Sequence, residues 1–273
     1  MKLRMFQVDA FADRVFEGNP AAVCPLEAWL DAGLLLAIAE ENNLSETAFF
    51  VPAADGFELR WFTPAEEVDL CGHATLASAH VLFTHLGYQR PEVRFSTRSG
   101  QLVVHRGPLG LCMDFPAALP APTESPVALV EALGSQPCEV LAAFDYVVVY
   151  ETEQQVVALA PDFAMLRRVG LRGVVATAPG GDTDFVSRCF FPKLRIDEDP
   201  VTGSAHCELA PYWARRLGRT HLVGRQRSKR GGTVACEVSG SRVLLSGRAV
   251  DYMTAEVHVP DWTNPIADAL SAP

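Results

Sequence analysis

The chain repeats itself, and that narrows its possible folds more than any other feature. FELRWFTP at 57–64 and FVSRCFFP at 185–192 share Phe57/Phe185, Arg60/Arg188, Phe62/Phe190 and Pro64/Pro192 at a single offset of 128. The register then slips by three. At an offset of 131, Gly72 matches Gly203, Ala74 matches Ala205, Leu86-Gly87 matches Leu217-Gly218, and Gly100 and Val103 match Gly231 and Val234. Phe, Pro and Gly recur by chance in many α/β sequences, but ordered matches across two elements and a loop favour duplication. Each half then reads as an alternating strand closing in Phe-x-Pro, a polar loop, a Gly-led apolar segment, and short strands such as QLVVHR at 101–106 and TVACEV at 233–238. In the first half Leu76, Ala79, His80, Phe83 and Leu86 fall at helical spacing, and the closing Leu-Gly predicts a helix C-cap. The Pro/Ala-rich FPAALPAPTESP at 115–126 predicts an extended linker, placing an N-terminal domain at 1–117 and a C-terminal domain of the same kind at 118–254.

Composition sets the class. With 49% hydrophobic and 21% charged residues over 273 positions, the chain reads as a well-packed soluble protein. A formal charge of −10 disfavours nucleic-acid binding. RQRSKR at 225–230 has no interleaved aromatics, so it reads as an exposed basic loop or an anion-adjacent lip. MKLRMFQVDAF at the start mixes charges with apolar residues and reads as a strand, not a signal peptide, and no apolar run suits a membrane span. The seven cysteines (24, 71, 112, 138, 189, 207, 236) form no CxxC pair. Reduced thiols in the cytoplasm are the expectation, with no metal site.

Two loops matched by the repeat carry the chemistry: CGHA at 71–74 and TGSA at 202–205. A Gly at a helix start lets a ligand approach the backbone, and free first-turn amides favour an anion such as a carboxylate. His73 and Ser204 are equivalent positions. Each can serve a proton network or merely satisfy a helix start. Cys71 pairs with Thr202, which cannot supply a thiolate, so a symmetric two-cysteine mechanism is excluded; Cys71 is a reactive thiol or a small buried residue. In ENNLSETAFF at 41–50, Leu44, Ala48 and Phe50 alternate and place Glu46 on the core side. A buried carboxyl there is tuned as a general acid/base; the alternative is that Glu46 ends the preceding helix or simply meets an arginine. Asp199, just before the second helix start, is the other candidate acid.

VDAFADRVFEGNPAAV at 8–23, NLSETAFF at 43–50, RWFTPAEEVDLCGHATLASAH at 60–80 and EDPVTGSAH at 198–206, with weaker support from QRSKRGG at 226–232, resemble the PhzF-like family of phenazine-biosynthesis isomerases over nearly the whole chain. LCGHA in the first loop looks more like the uncharacterised branch than the phenazine-operon enzymes. The resemblance implies an α+β, diaminopimelate-epimerase-like fold of two pseudo-two-fold-related domains. Each would be a mostly antiparallel sheet wrapped around a central helix, with a tail of about 255–273 completing the first domain. It further implies a cytoplasmic homodimer without cofactor or metal, acting as an isomerase on a small carboxylic or amino acid. In the phenazine enzyme a Glu moves a proton between carbons of trans-2,3-dihydro-3-hydroxyanthranilate. By this resemblance Glu46, His73, Asp199 and Ser204 are catalytic, and Asn19, Ser45, Gly72, Thr202 and Gly203 bind substrate in a cleft between the domains. The competing expectation is a binding protein that keeps the fold without turnover.

Overall fold

A computed structural model describes residues 1–259 and 262. The chain forms two units. The first comprises Met1–Ala10, Pro20–His105 and the chain from Ala249; the second comprises Phe11–Asn19 and Arg106–Arg248.

In the first unit β1 (Lys2–Ala10) is followed by β2 (Asn19–Pro25), whose first residue groups with the second unit. Helix α1 (Ala32–Asn42) leads to β3 (Glu46–Ala53), which runs parallel to β2. Asp31 starts α1 by accepting from the amides of Gly33 and Leu34, and left-handed Asn43 ends it. β3 turns into antiparallel β4 (Gly56–Phe62) through Gly56, whose φ of 112° and contact with the Arg94 carbonyl leave no room for a Cβ. Short β5 (Glu67–Val68) precedes α2 (Gly72–Thr84). Then β6 (Glu92–Thr97) runs parallel to β4, and β7 (Gly100–Gly107) antiparallel to β6.

The second unit follows with β8 (Gly110–Pro116), β9 (Ala121–Pro122), α3 (Val127–Leu133), β10 (Glu139–Ala142) and β11 (Tyr146–Val149). Helices α4 (Glu153–Ala158) and α5 (Phe163–Leu166) lead to β12 (Val174–Pro179), parallel to β11, and antiparallel β13 (Phe185–Phe191). Next come β14 (Ile196–Asp199), α6 (Gly203–Leu217), β15 (His221–Gln226), β16 (Gly232–Ser239) and β17 (Arg242–Gly247). The last strand, β18 (Ala249–His258), returns to the first unit and pairs antiparallel with β1. The rest of the expected tail, beyond Val259 and apart from Trp262, lies outside the described residues.

The repeat is structural. β2–β3–β4–β6–β7 and β11–β12–β13–β15–β16 share the same order of parallel and antiparallel joins. The paired arginines fix the correspondence: Phe49 faces Arg60 as Ala176 faces Arg188, an offset of 127 for β3 and β12. Arg60 forks onto Glu67 with two bonds of 2.7 Å, and its counterpart Arg188 onto Glu198 at 2.7 and 3.0 Å. Each guanidinium lies over the following phenylalanine, Phe62 or Phe190. The protein is thus mixed α+β, with mostly antiparallel strands and one long buried helix in each unit.

Three expectations change. The helical face read from Leu76, Ala79, His80, Phe83 and Leu86 is not a face. Every residue from His73 to Ala79 is buried, while Leu86 lies past the helix end and is 38% exposed. A helix buried nearly all round carries little of the one-sided periodicity that spacing detects. Gly218 does cap α6 in the left-handed region, whereas α2 stops at Thr84, before Gly87. The segment 115–126 is not a free linker, and the units divide at His105/Arg106 and Arg248/Ala249 instead of at 117/118. Its first residues pair in β8 with β17, and Ala121–Pro122 pair with β10. Between them the Ala118 amide donates to the Cys207 carbonyl at 2.9 Å. Pro211 in α6 cannot serve that carbonyl, because proline has no N–H, so the docked segment repairs the helix.

Candidate active site

In the first unit Glu46 opens β3 and His73 sits in the first turn of α2. His73 Nε2 and Glu46 Oε2 lie 3.2 Å apart, with side chains only 8% and 12% exposed. On the other side of the ring, Nδ1 is 3.5 Å from the Cys71 thiol. Burial pushes the His73 pKa down to about 3, so the imidazole stays neutral at ordinary pH. A neutral ring carries one proton. Cys71 S–H can donate to Nδ1, which leaves the Nε2 proton facing Glu46 Oε2 at 3.2 Å without the alignment of a hydrogen bond. Glu46, Cys71 and His73 place their reactive atoms within 4.8 Å of one another.

Glu46 is positioned as expected but by a different pattern. β3 buries Thr47 and Phe49 as well as Ala48 and Phe50, so the strand is covered on both faces and Leu44 is not part of it. Ser45 lies half-buried in the bend before it. Cys71 is the N-cap of α2 and no side chain caps it. The first intrahelical amide bond is made by Thr75, so the amides of Gly72, His73 and Ala74 precede the hydrogen-bonded turns. Gly72 keeps the approach to them clear of a Cβ.

The second unit builds a different device on the equivalent helix. Thr202 is the N-cap of α6, again without a side-chain cap, followed by Gly203 and Ser204. Asp199, the last residue of β14, is 8% exposed and fully engaged. Asn19 Nδ2 donates to Oδ1 at 2.9 Å and the Thr202 hydroxyl donates to Oδ2. Burial raises the Asp199 pKa to about 6, against the lowering pull of those two donors and of Arg172. Asn19 also donates to the Val201 carbonyl at 2.9 Å, fixing the loop before α6.

Sequence reasoning missed the groups that hold this network. Gln226 accepts from the Thr202 amide at 2.9 Å and donates to the Asp199 carbonyl at 2.7 Å. Arg172 donates to Ser204 Oγ at 3.1 Å while forking onto the fully buried Asp145 at 3.0 and 2.5 Å. Beneath them Glu208, also fully buried, accepts from the amides of Phe144 and Asp145. Burial and the neighbouring Asp145 charge push its pKa upward. Each missed residue lies 24 or more positions from its partner, beyond any local spacing pattern. Thr75 and His206, another equivalent pair, each bond back to the N-cap carbonyl, at 2.6 and 2.8 Å.

A family model described as phenazine biosynthesis-like protein matches residues 8–255. An uncharacterised isomerase of Pseudomonas aeruginosa is 56% identical over 259 residues, covering 95% of this chain and 100% of that protein. The crystal structure of a PhzF-family phenazine biosynthesis protein from Enterococcus faecalis superposes with a TM-score of 0.93 at 46% identity, covering 95% of this chain and 100% of that one. A hydroxyproline epimerase from Agrobacterium vitis shares the fold alone, with a TM-score of 0.58 at 13% identity over 94% of this chain and 92% of that one. Among the described residues no helix is long and apolar enough to cross a membrane.

Proposed function

This chain belongs to the phenazine biosynthesis-like family and is an isomerase-type enzyme, and from that premise we propose that it moves a proton on a small carboxylic or amino acid with Glu46 as general acid/base. The observation that supports this reading is the buried Glu46–His73 pair, 3.2 Å apart at an uncapped helix start. Glu46 accepts a proton from a substrate carbon, forming its O–H bond as the C–H bond breaks. The electron pair left behind moves into the substrate's adjacent π system. Glu46 then returns the proton to another carbon, and the sum is an isomerisation without oxidant or cofactor.

Neutral His73 presents Nε2 to the Glu46 carboxylate 3.2 Å away, and a hydrogen bond between them is to tighten when substrate binds. The amides of Gly72 and Gly203 hold the substrate carboxylate, where backbone donors cost no reorganisation. Asp199, Ser204, Thr202, Asn19 and Ser45 orient the substrate. That both half-sites act on one substrate, in a cleft between two domains, is part of the proposal. A homodimer in the cytoplasm is its companion, tested by light scattering on the eluted protein.

Protein in D2O, offered dihydrohydroxyanthranilate, diaminopimelate, proline and related acids, should place deuterium at a substrate carbon, read by mass spectrometry. Glu46→Gln should abolish the exchange. Full exchange in that variant would sink the role of Glu46. No exchange on any acid, with ligand-induced melting shifts retained, would point to a binding protein.

A further inference from the structure

Helix α2 carries the Glu46 partner at one end and an unused set of metal-binding side chains at the other. His80 lies near its C-terminus, His85 is its C-cap, and Asp251 comes from β18. The two Nε2 atoms are 3.1 and 2.9 Å from Asp251 Oδ1, and the three donor atoms lie within 4.8 Å of one another. We propose that His80, His85 and Asp251 bind a divalent cation of the zinc class.

The geometry supports this in four ways. A tetrahedral zinc ion with bonds of roughly 2.0–2.1 Å holds its ligands about 3.3 Å apart, close to the 3.1 and 2.9 Å that separate each Nε2 from Asp251 Oδ1. Two imidazoles and a carboxylate are donors that zinc takes, leaving a fourth position for water. The imidazoles are 16% and 22% exposed and the carboxylate 42%, so the open position faces solvent. A helix C-terminus also favours a cation.

The chain has shaped this cluster by irregularities. His80 and His85 are five apart, which on an ideal helix separates them by about 140°. They converge because α2 ends at Thr84 and His85 takes the cap, its amide bonded to Val81 O. Phe6 of β1 stacks on the His85 ring at 4.6 Å and fixes its plane. Across the β1–β18 ladder the register slips between Gln7 and Val8, which face Met253 and Asp251. Tyr252 is therefore the extra residue of a β-bulge. Without it Tyr252, not Asp251, would oppose Val8 and share the side of Phe6. Two N–H···O hydrogen bonds to one carboxylate oxygen would give the same distances without an ion, so the test must separate these readings.

Untagged protein, stripped with chelator and titrated with zinc chloride by calorimetry, should bind one equivalent at this site. Asp251→Asn and His85→Ala should each weaken that binding by about tenfold or more, with unchanged circular dichroism. Cys71→Ser should leave it intact. Cobalt(II) on the unmodified protein should give tetrahedral d–d bands without a thiolate charge-transfer band, and this readout does not depend on a variant folding. No saturable binding of either metal would overturn the proposal. So would zinc affinity that survives both substitutions, or a cobalt spectrum dominated by thiolate.

Discussion

The two half-sites stand on one scaffold and do opposite things with a carboxylate. In the first unit the acid opens β3, and the position matched to it by strand register is Gly173, just before β12. In the second unit the acid closes β14, where the first unit has Val68. Glu46 meets a neutral imidazole whose other nitrogen contacts a thiol. Asp199 receives donors on both oxygens and is braced through Thr202 by Gln226. Asp199 is thus held through both oxygens, whereas Glu46 faces a neutral imidazole across 3.2 Å. Duplication supplied two Gly-led helix starts, and under the proposed mechanism the first serves reaction and the second holding.

The largest test of that contrast compares Glu46→Gln with Asp199→Asn. Glu46→Gln should lower the rate of C–H exchange by about 10³-fold or more, within the usual range for losing a general acid/base. Asp199→Asn should lose less, and chiefly in KM. Equal losses in kcat would break the division of labour. Steady-state exchange kinetics on the same substrate decide it.

Arg172 offers a second contrast, because the position matched to it by strand register in the first unit is Ser45. Arg172→Met would leave Asp145 buried without its partner, beside Glu208. A cost of about 3–5 kcal/mol in denaturant unfolding is expected, as for other broken buried pairs. Ser204 would also lose a donor, so substrate affinity should fall in the protein that remains folded. A stability loss with unchanged affinity would confine Arg172 to a structural role.

The third test is pH. The folded pKa of Asp199, about 6, lies above its unfolded value near 3.8, so the native state holds the proton more tightly. Its contribution is complete below pH 3.8 and is lost as the pH rises through 6, by about 3 kcal/mol at full ionisation. His73, whose pKa burial lowers from 6.5 to about 3, contributes the opposite slope: between those values the unfolded ring takes the proton and the native ring does not, so stability rises with pH. Asp199→Asn should remove only the falling component, so that stability rises more steeply with pH between about 4 and 6 than in the unsubstituted protein, measured by urea unfolding at each pH. A pH dependence unchanged by the substitution would place the titration elsewhere.

The repeat made the scaffold legible, since Arg60/Arg188 and the two Gly-led helices mark equivalent strands and helix starts. Glu46, His73 and Asp199 were legible as polar groups where burial must be explained. The rest was not, for identifiable reasons. Arg172, Gln226 and Asp145 join the network through contacts between distant strands and loops, which leave no local period. The docked path of 115–126 depends on backbone bonds, and an extended Pro/Ala segment looks alike whether it pairs or stays in solvent. The convergence of His80 with His85 needs a helix end and a bulge, both of which break the spacing from which faces are read.

The smallest effect probes the scaffold itself. Arg60→Lys keeps the charge but loses the fork onto Glu67, which retains Arg98 at 2.7 Å. A cost of about 1 kcal/mol or less is expected. Arg188→Lys should cost about 1 kcal/mol more. The reason lies in Nη1 of Arg188, which also donates to the carbonyls of Val156, Val157 and Leu159 at the end of α4. Those carbonyls belong to the connection between β11 and β12, where the first unit has the longer, well-capped α1 and needs no such clamp. Thermal unfolding of the two variants separates the cases. Equal costs would make the three carbonyl contacts energetically neutral and the two arginines true equivalents. A larger loss for Arg188→Lys would mean that the second unit has converted a shared strand brace into support for its shorter helices.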